Sequence, residues 1–273
     1  MDQLKEFGDF LKEEEKSGLT VEKYLRDAGA FLSFCGGGEL SKRLVIAYKQ
    51  HLLEGYAPAS VNSMLSSVNR YLAFLGREDC RVRAVKLQRD AFASGERELS
   101  AAEYRRLLDA SEKKPWLRLL LQTICATGIR VSEHRYITVE AAKAGKASVR
   151  CKGKLRTVLL PQKLCRALRE YAARAGIRTG SIFVTSRGNI LDRSRIWREM
   201  KKLCEKAGVE AKKVFPHNLR HLFAQVFYTM EKDIVRLADI LGHSSVNTTR
   251  IYTRESGEIH RKQIEKMPLL FIT

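Results

Sequence analysis

Four apolar stripes at helical spacing fill the first 76 residues and leave little room for anything but a helical bundle. Leu4, Phe7 and Leu11 recur at the interval of one helical face. Val21, Tyr24, Leu25, Ala28, Leu32 and Cys35 form a second stripe, which Thr20 can cap and Gly36-Gly37-Gly38 ends. Leu44, Val45, Tyr48 and Leu52 make a third that stops at Gly55. Val61, Met64, Leu65, Val68, Leu72 and Leu75 make a fourth that stops at Gly76. A helix with one apolar face must bury it, and four in succession bury theirs against each other. Nothing in residues 1–78 suggests catalysis.

The pattern fades from Arg77 to Leu99. Arg81, Arg83, Lys86, Arg89 and the Ser94-Gly95 pair read as an exposed basic linker, residues 79–98. Residues 99–273 read as a second domain, opened by the capping box Ser100-Ala101-Ala102-Glu103. Trp116 to Thr127 predicts an apolar helix ending at Gly128. Ala147–Cys151 and Leu155–Leu160 are strand-like runs around Lys152-Gly153-Lys154, a hairpin with a basic tip. Leu164, Leu168, Tyr171 and Ala172 mark a helix closed by Gly176, and Ser181–Thr185 a third strand. Trp197, Met200, Leu203 and Cys204 share one helical face, and His217–Met230 and Asp233–Leu241 are the last long helices. The fold class is therefore mainly α: a helical-bundle N-terminal domain and an α-rich second domain with a small antiparallel β-sheet.

Fifty Lys and Arg face thirty-one Asp and Glu, a surplus of +19. So large a surplus repels itself unless a polyanion neutralises it, which points first to nucleic acid and second to an acidic membrane surface. No stretch approaches the ~20 apolar residues of a membrane span, and Met1-Asp2-Gln3-Leu4-Lys5-Glu6 has no apolar signal region. The six cysteines include no CxxC pair, which argues against a zinc site and a disulfide framework and for a cytoplasmic, nucleoid-associated setting. Between Ala141 and Gly180 stand eleven Lys and Arg with Glu170 as the only acid. A run this one-sided, centred on a hairpin tip, is better explained by phosphate contact than by a solvated face, with Lys154 and Arg156 as DNA-binding residues.

Five short stretches matter together: Ala126-Thr127-Gly128-Ile129-Arg130-Val131-Ser132-Glu133, Lys152-Gly153-Lys154, Pro216-His217-Asn218-Leu219-Arg220-His221, Leu241-Gly242-His243 and Ile251-Tyr252-Thr253. In this order and at these intervals the chain resembles the tyrosine recombinases, the phage-integrase and Xer-like family, along essentially its whole length. The resemblance implies a SAM-like core-binding domain followed by a catalytic domain of the DNA breaking-rejoining fold, clamped around duplex DNA. It implies that Arg130 is the first phosphate-binding arginine and Lys152 the lysine at the hairpin tip. It further implies that His217 and Arg220 form the HxxR motif, that His243 is the histidine of the LGH motif, and that Tyr252 is the nucleophile. Lys154 competes with Lys152, and His221 with His217. The sequence departs from the family where His134-Arg135-Tyr136 replace apolar residues after Glu133, which is read as a structural partner of a nearby basic group.

The chemistry is coherent without the family. Attack of a side-chain oxygen on a phosphodiester builds negative charge on the non-bridging oxygens. Two guanidiniums offer forked donors that stay charged at any workable pH, which suits Arg130 and Arg220. A phenol with a pKa of about 10 is only ~0.1% ionised at pH 7, so Tyr252 needs help, for which His217 is preferred. Lys152 suits protonation of the leaving 5′-oxygen, and His243 donation to a non-bridging oxygen. Neither a metal nor a cofactor is expected, because the arginines supply the charge. The expected partner is double-stranded DNA with recognition half-sites, bound by a dimer per site and a tetramer in the synapse, of this chain or with a paralogous recombinase. The rivals are a type IB topoisomerase, an inactive DNA-binding protein of the same fold, and an RNA-binding protein. The apolar end Met267–Ile272 either folds back on its own domain or docks into a neighbouring protomer.

Overall fold

The computed structural model describes residues 2–86, 98–151, 154–243 and 245–249. Lys152, Tyr252, the Ser94-Gly95 pair and the apolar end lie outside the described residues, as do the side chains of Cys151 and Lys154. The chain divides into two compact units, residues 1–90 and 91–273. The fold is mainly α with one small antiparallel sheet among the described residues. No described helix is long and apolar enough to cross a membrane.

The first unit is a bundle of α1 (Asp2–Glu13), α2 (Gly18–Cys35), α3 (Lys42–Gly55) and α4 (Pro58–Phe74). The apolar stripes meet in one core, where Phe7, Leu11, Phe31, Val61, Leu65 and Tyr71 are buried. The cap of α2 is Ser17, not Thr20: the Ser17 hydroxyl accepts from the Thr20 amide, and Thr20 already lies inside the helix. Gly36 then ends α2 in the left-handed region, at φ +58°.

The stretch expected to be an exposed linker starts as part of this core. A 3-10 turn spans Glu78–Cys80, and Cys80 and Val82 are buried. Two asparagines of α4 explain why. Asn69 exchanges a pair of hydrogen bonds with the backbone of Val82, and Asn62 does the same with Val85. Each amide thus imitates a strand neighbour and fixes an extended segment that alternates Val82 inward with charged residues outward.

In the second unit α5 (Ala101–Ala110) begins at the expected capping box, with Ser100 and Glu103 satisfying each other's backbone amides. α6 (Pro115–Thr127) carries buried residues all round, Leu117, Leu119, Leu120, Leu121 and Ile124 among them, and so lies at the centre of the unit. A 3-10 turn (Val131–Tyr136) and α7 (Val139–Ala144) lead to the hairpin β1 (Lys146–Cys151) and β2 (Lys154–Leu159). Lys146 pairs with Leu159, Val149 with Arg156 and Cys151 with Lys154. α8 (Gln162–Arg174), α9 (Arg193–Lys201), α10 (Leu203–Ala207), α11 (Pro216–Glu231), α12 (Ile234–Leu241) and α13 (Val246–Thr249) follow.

Two expectations fail here. Ser181–Thr185 is not a strand: single bridges join Thr138 to Ser181 and Val184 to Ile190, with no ladder to extend them. Trp197 is 48% exposed, with Lys201 over its ring. The buried stripe runs through Ile196, Met200, Leu203 and Cys204, so Trp197 stands one position off it, and the helix breaks between Lys201 and Leu203.

Candidate active site

Residues three apart on a helix share a face, so His217 and Arg220 project together from α11. Pro216 occupies the first turn, and Asn218 donates to the Lys213 carbonyl at 2.8 Å, fixing the entry to the helix. Arg220 is only 2% exposed. A buried charge is costly unless partners meet it, and here the partners are helix ends. Nη1 donates to the carbonyl of Gly128, which terminates α6, at 2.5 Å. Nη2 donates to the carbonyl of Leu241, the last residue of α12, at 2.8 Å. Such carbonyls are left without intrahelical partners and form the negative end of the helix dipole.

Nη2 also lies 2.9 Å from His243 Nε2. A guanidinium only donates, so the ring nitrogen accepts and the imidazole proton belongs on Nδ1. Nδ1 is 2.8 Å from Thr249 Oγ1, a buried hydroxyl of α13 that then accepts it. His243 therefore links Arg220 to the segment preceding Tyr252.

The glycines of two motifs have separate reasons to be glycine. Gly128 and Gly242 both cap their helices in the left-handed region, at φ +64°. A Cβ on Gly128 would stand 2.5 Å from the Phe223 ring and 2.9 Å from Leu241. A Cβ on Gly242 would stand 2.4 Å from Cδ of Arg156. Both the backbone angle and the close approach disfavour a residue with a side chain.

Arg130 follows Gly128 by two residues and is half-buried. Its partner is Glu133, which is 1% exposed. Glu133 accepts from the Arg130 amide at 2.7 Å and from Arg130 Nη1 at 3.1 Å. The same carboxylate accepts from Arg156 Nη2 at 2.6 Å. Glu133 is thus the buried structural partner that its position after Arg130 suggests.

The histidines register the cations around them. Desolvation, followed by His221, Arg220 and Arg130, holds the His217 pKa below the usual value. Desolvation, followed by Arg220, Arg130, Arg156 and His217, pulls His243 down to about 4. Both rings are neutral at pH 7, as the accepting Nε2 of His243 requires. His221 is held low chiefly by burial, with Glu98 and Gln225 opposing that shift.

Arg130, His217, Arg220 and His243 are therefore brought together. Lys152 and Tyr252 fall outside the described residues, and of Lys154 only the backbone pairing with Cys151 is described. Arg156, expected as a DNA-binding residue, has its side chain turned inward. Its side chain is 14% exposed and commits both terminal nitrogens inward, Nη2 to Glu133 and Nη1 to the Ile240 carbonyl at 2.6 Å. Strand parity carried that signal: 156 shares a face with Val158, which is buried. Thr249 went unnoticed because a buried threonine four residues past a short turn has no sequence signature.

The phage integrase family model matches residues 97–258, more than half of the chain. This protein belongs to the phage integrase family. The N-terminal SAM-like domain of phage integrases matches residues 4–79. Tyrosine recombinase XerA of Pyrococcus furiosus is 30% identical to this tyrosine recombinase over 98% of the chain and 94% of the relative. Tyrosine recombinase XerD of Vibrio cholerae is 30% identical over 84% and 78%. Among solved structures, XerA recombinase matches at 27% identity and a TM-score of 0.55, covering 99% of both chains. A lambda integrase dimer bound to a COC′ core site matches at 18% identity and a TM-score of 0.75, covering 94% and 95%, a likeness of fold. The protein is a tyrosine site-specific recombinase with the fold of those enzymes.

Proposed function

We propose that this recombinase cuts and rejoins duplex DNA through a 3′-phosphotyrosine intermediate on Tyr252. Tyr252 Oη attacks the scissile phosphorus, the P–O5′ bond breaks, and the 5′-oxygen leaves as a hydroxyl. The phenolic proton passes to His217, held neutral and unprotonated at pH 7 by its surroundings. The leaving oxygen takes its proton from Lys152. Arg130 and Arg220 face the charge that develops on the non-bridging oxygens. The new ester stores roughly the energy of the one it replaces, so rejoining by the 5′-hydroxyl runs the same steps backwards.

One observation carries the reading: Arg220, buried and aimed by two helix ends and His243, in an electrostatic cluster with Arg130 and His217. With its Nε2 accepting from Arg220, His243 first orients that guanidinium. Donation from Nε2 to a phosphate oxygen requires the bond to Arg220 to be given up and the ring proton to move from Nδ1 to Nε2, with the Thr249 hydroxyl then donating to Nδ1.

The helical domain, residues 1–78, serves as the core-binding module, with Lys154 on the phosphate backbone beside the hairpin tip. The lambda integrase structures include a dimer on a core site and a tetramer on a Holliday junction. By analogy this chain assembles as a dimer on paired half-sites and a tetramer in the synapse, alone or with a paralogous recombinase. Its biological task is mobile-element integration and excision or replicon-dimer resolution, through a four-way junction at the nucleoid.

The test begins with selection of the recognised site from random duplexes. A duplex nicked so that the cut fragment diffuses away then traps the intermediate. Wild type forms a covalent adduct at one tyrosine, and Tyr252→Phe binds the site equally well and forms none. An adduct in the Phe variant, or none in wild type, overturns the mechanism.

A further inference from the structure

We infer that Arg156 is a positioning residue, a largely buried strut that ties strand β2 to the turn of Arg130 and the turn of His243 in one register. The inference rests on the catalytic reading above and adds a residue to it.

β2 alternates inward and outward, and Arg156 falls on the inward face opposite Val149, with Val158 beyond it. A guanidinium in a core-facing position is disfavoured unless each end finds a partner. Both ends do, on different elements. Nη2 reaches Glu133, the carboxylate that also holds the amide and Nη1 of Arg130. Nη1 reaches the carbonyl of Ile240 in the last turn of α12, where the helix dipole is negative. Between these ends the side chain lies over Gly242, filling the place a Cβ would take, one residue before His243. One planar cation on β2 therefore bridges the two segments that carry Arg130 and His243. Its charge is also among those that keep the His243 ring neutral.

The fork matters as much as the charge. A lysine ammonium is a point donor on a flexible stem, and it cannot span Glu133 and Ile240 in one fixed plane. Phosphate contact, by contrast, would be largely preserved by lysine.

The test uses the full chain with Arg156→Lys and Arg156→Gln, each also combined with Glu133→Gln. Half-site affinity, single-turnover adduct formation on the nicked duplex, and the His243 ring titration by NMR are measured. Affinity is expected to stay within about threefold. Adduct formation is expected to fall by up to about 10²-fold in both variants, the cost of a small misplacement transmitted from outside the reacting atoms. The double variants should be little slower than the single ones, because the two residues act as one unit. His243 should titrate at a higher pH in Arg156→Gln. Retention of the wild-type rate by Arg156→Lys overturns the proposal, as does an affinity loss equal to the rate loss with a smaller salt slope. If Arg156→Gln does not fold, Arg156→Lys still decides, since it keeps the charge and the stem. A wild type that forms no adduct defeats the catalytic reading instead, and the His243 titration then still reports whether Arg156 acts on that turn.

Discussion

Arg220 is a scaffold in the structure and, in the proposed mechanism, a reagent as well. It satisfies carbonyls at the ends of α6 and α12 while facing His243, so under the proposed mechanism its aim at a phosphate is set before any substrate arrives. Arg220→Lys keeps the charge and loses the fork. Adduct formation should fall by about 10²–10³-fold. Melting should also come earlier, because each buried carbonyl left unpaired costs about 1–3 kcal/mol. An unchanged melting temperature would mean the helix ends do not depend on Arg220. His243 makes a second prediction. Its folded pKa is about 4, below the ordinary histidine value of about 6.5. Between these values the unfolded chain binds a proton that the folded one does not. The stability His243 contributes is therefore complete above about pH 6.5 and is lost as pH falls towards 4. Desolvation shifts His217, His221 and His134 the same way, with neighbouring cations adding to it at His217, and all three add to the slope. Urea unfolding from pH 7 to 4.5 should show His243→Asn with a shallower loss than wild type; identical slopes would contradict the assignment.

At the scale of elements, helix ends do most of the positioning. Gly128 and Gly242 reverse the chain so that the α6 and α12 termini converge on Arg220, and each leaves room for a neighbour. Gly242→Ala must adopt a left-handed angle, at about 1–2 kcal/mol, and displace Arg156 as well. Its stability should fall by more than that of Gly188→Ala, where φ is +79° but no atom lies within 4 Å of the added Cβ. Equal losses in calorimetry would show that the angle alone matters. The contrast also explains what a sequence reveals. The stripes of the first unit and the Ser100 capping box were legible because helix periodicity and capping are local. The pairing of HxxR with the two glycine motifs was legible as a set of residue types. What was not legible depends on tertiary geometry: Asn62 and Asn69 holding Val85 and Val82, Arg156 turned inward, and Trp197 lying outside the buried stripe.

At the scale of the whole molecule the charge is divided very unequally. Residues 1–90 hold 14 Lys and Arg against 13 Asp and Glu, whereas residues 91–273 hold 36 against 18. On α1 part of the positive charge is already paired, Lys12 with Asp9 at 2.7 Å. The count predicts that the second unit supplies most of the long-range attraction to DNA and the helical unit little of it. Each neutralised phosphate releases counterions, so the logarithm of affinity falls with the logarithm of salt at about −0.9 per contact. Lys163, Arg166 and Arg169 are exposed on α8, within the stretch that has Glu170 as its only acid. Neutralising all three to Gln should weaken half-site binding and reduce the salt slope by roughly one for each that meets a phosphate. Lys12→Gln with Lys16→Gln, on the near-neutral unit, should leave the slope as it is. The measurement is a binding isotherm at several salt concentrations on the selected site, with Tyr252→Phe used throughout so that cleavage does not interfere. If the α1 pair changes the slope as much as the α8 triple does, attraction is shared between the units and the division of labour drawn from the charge count is wrong.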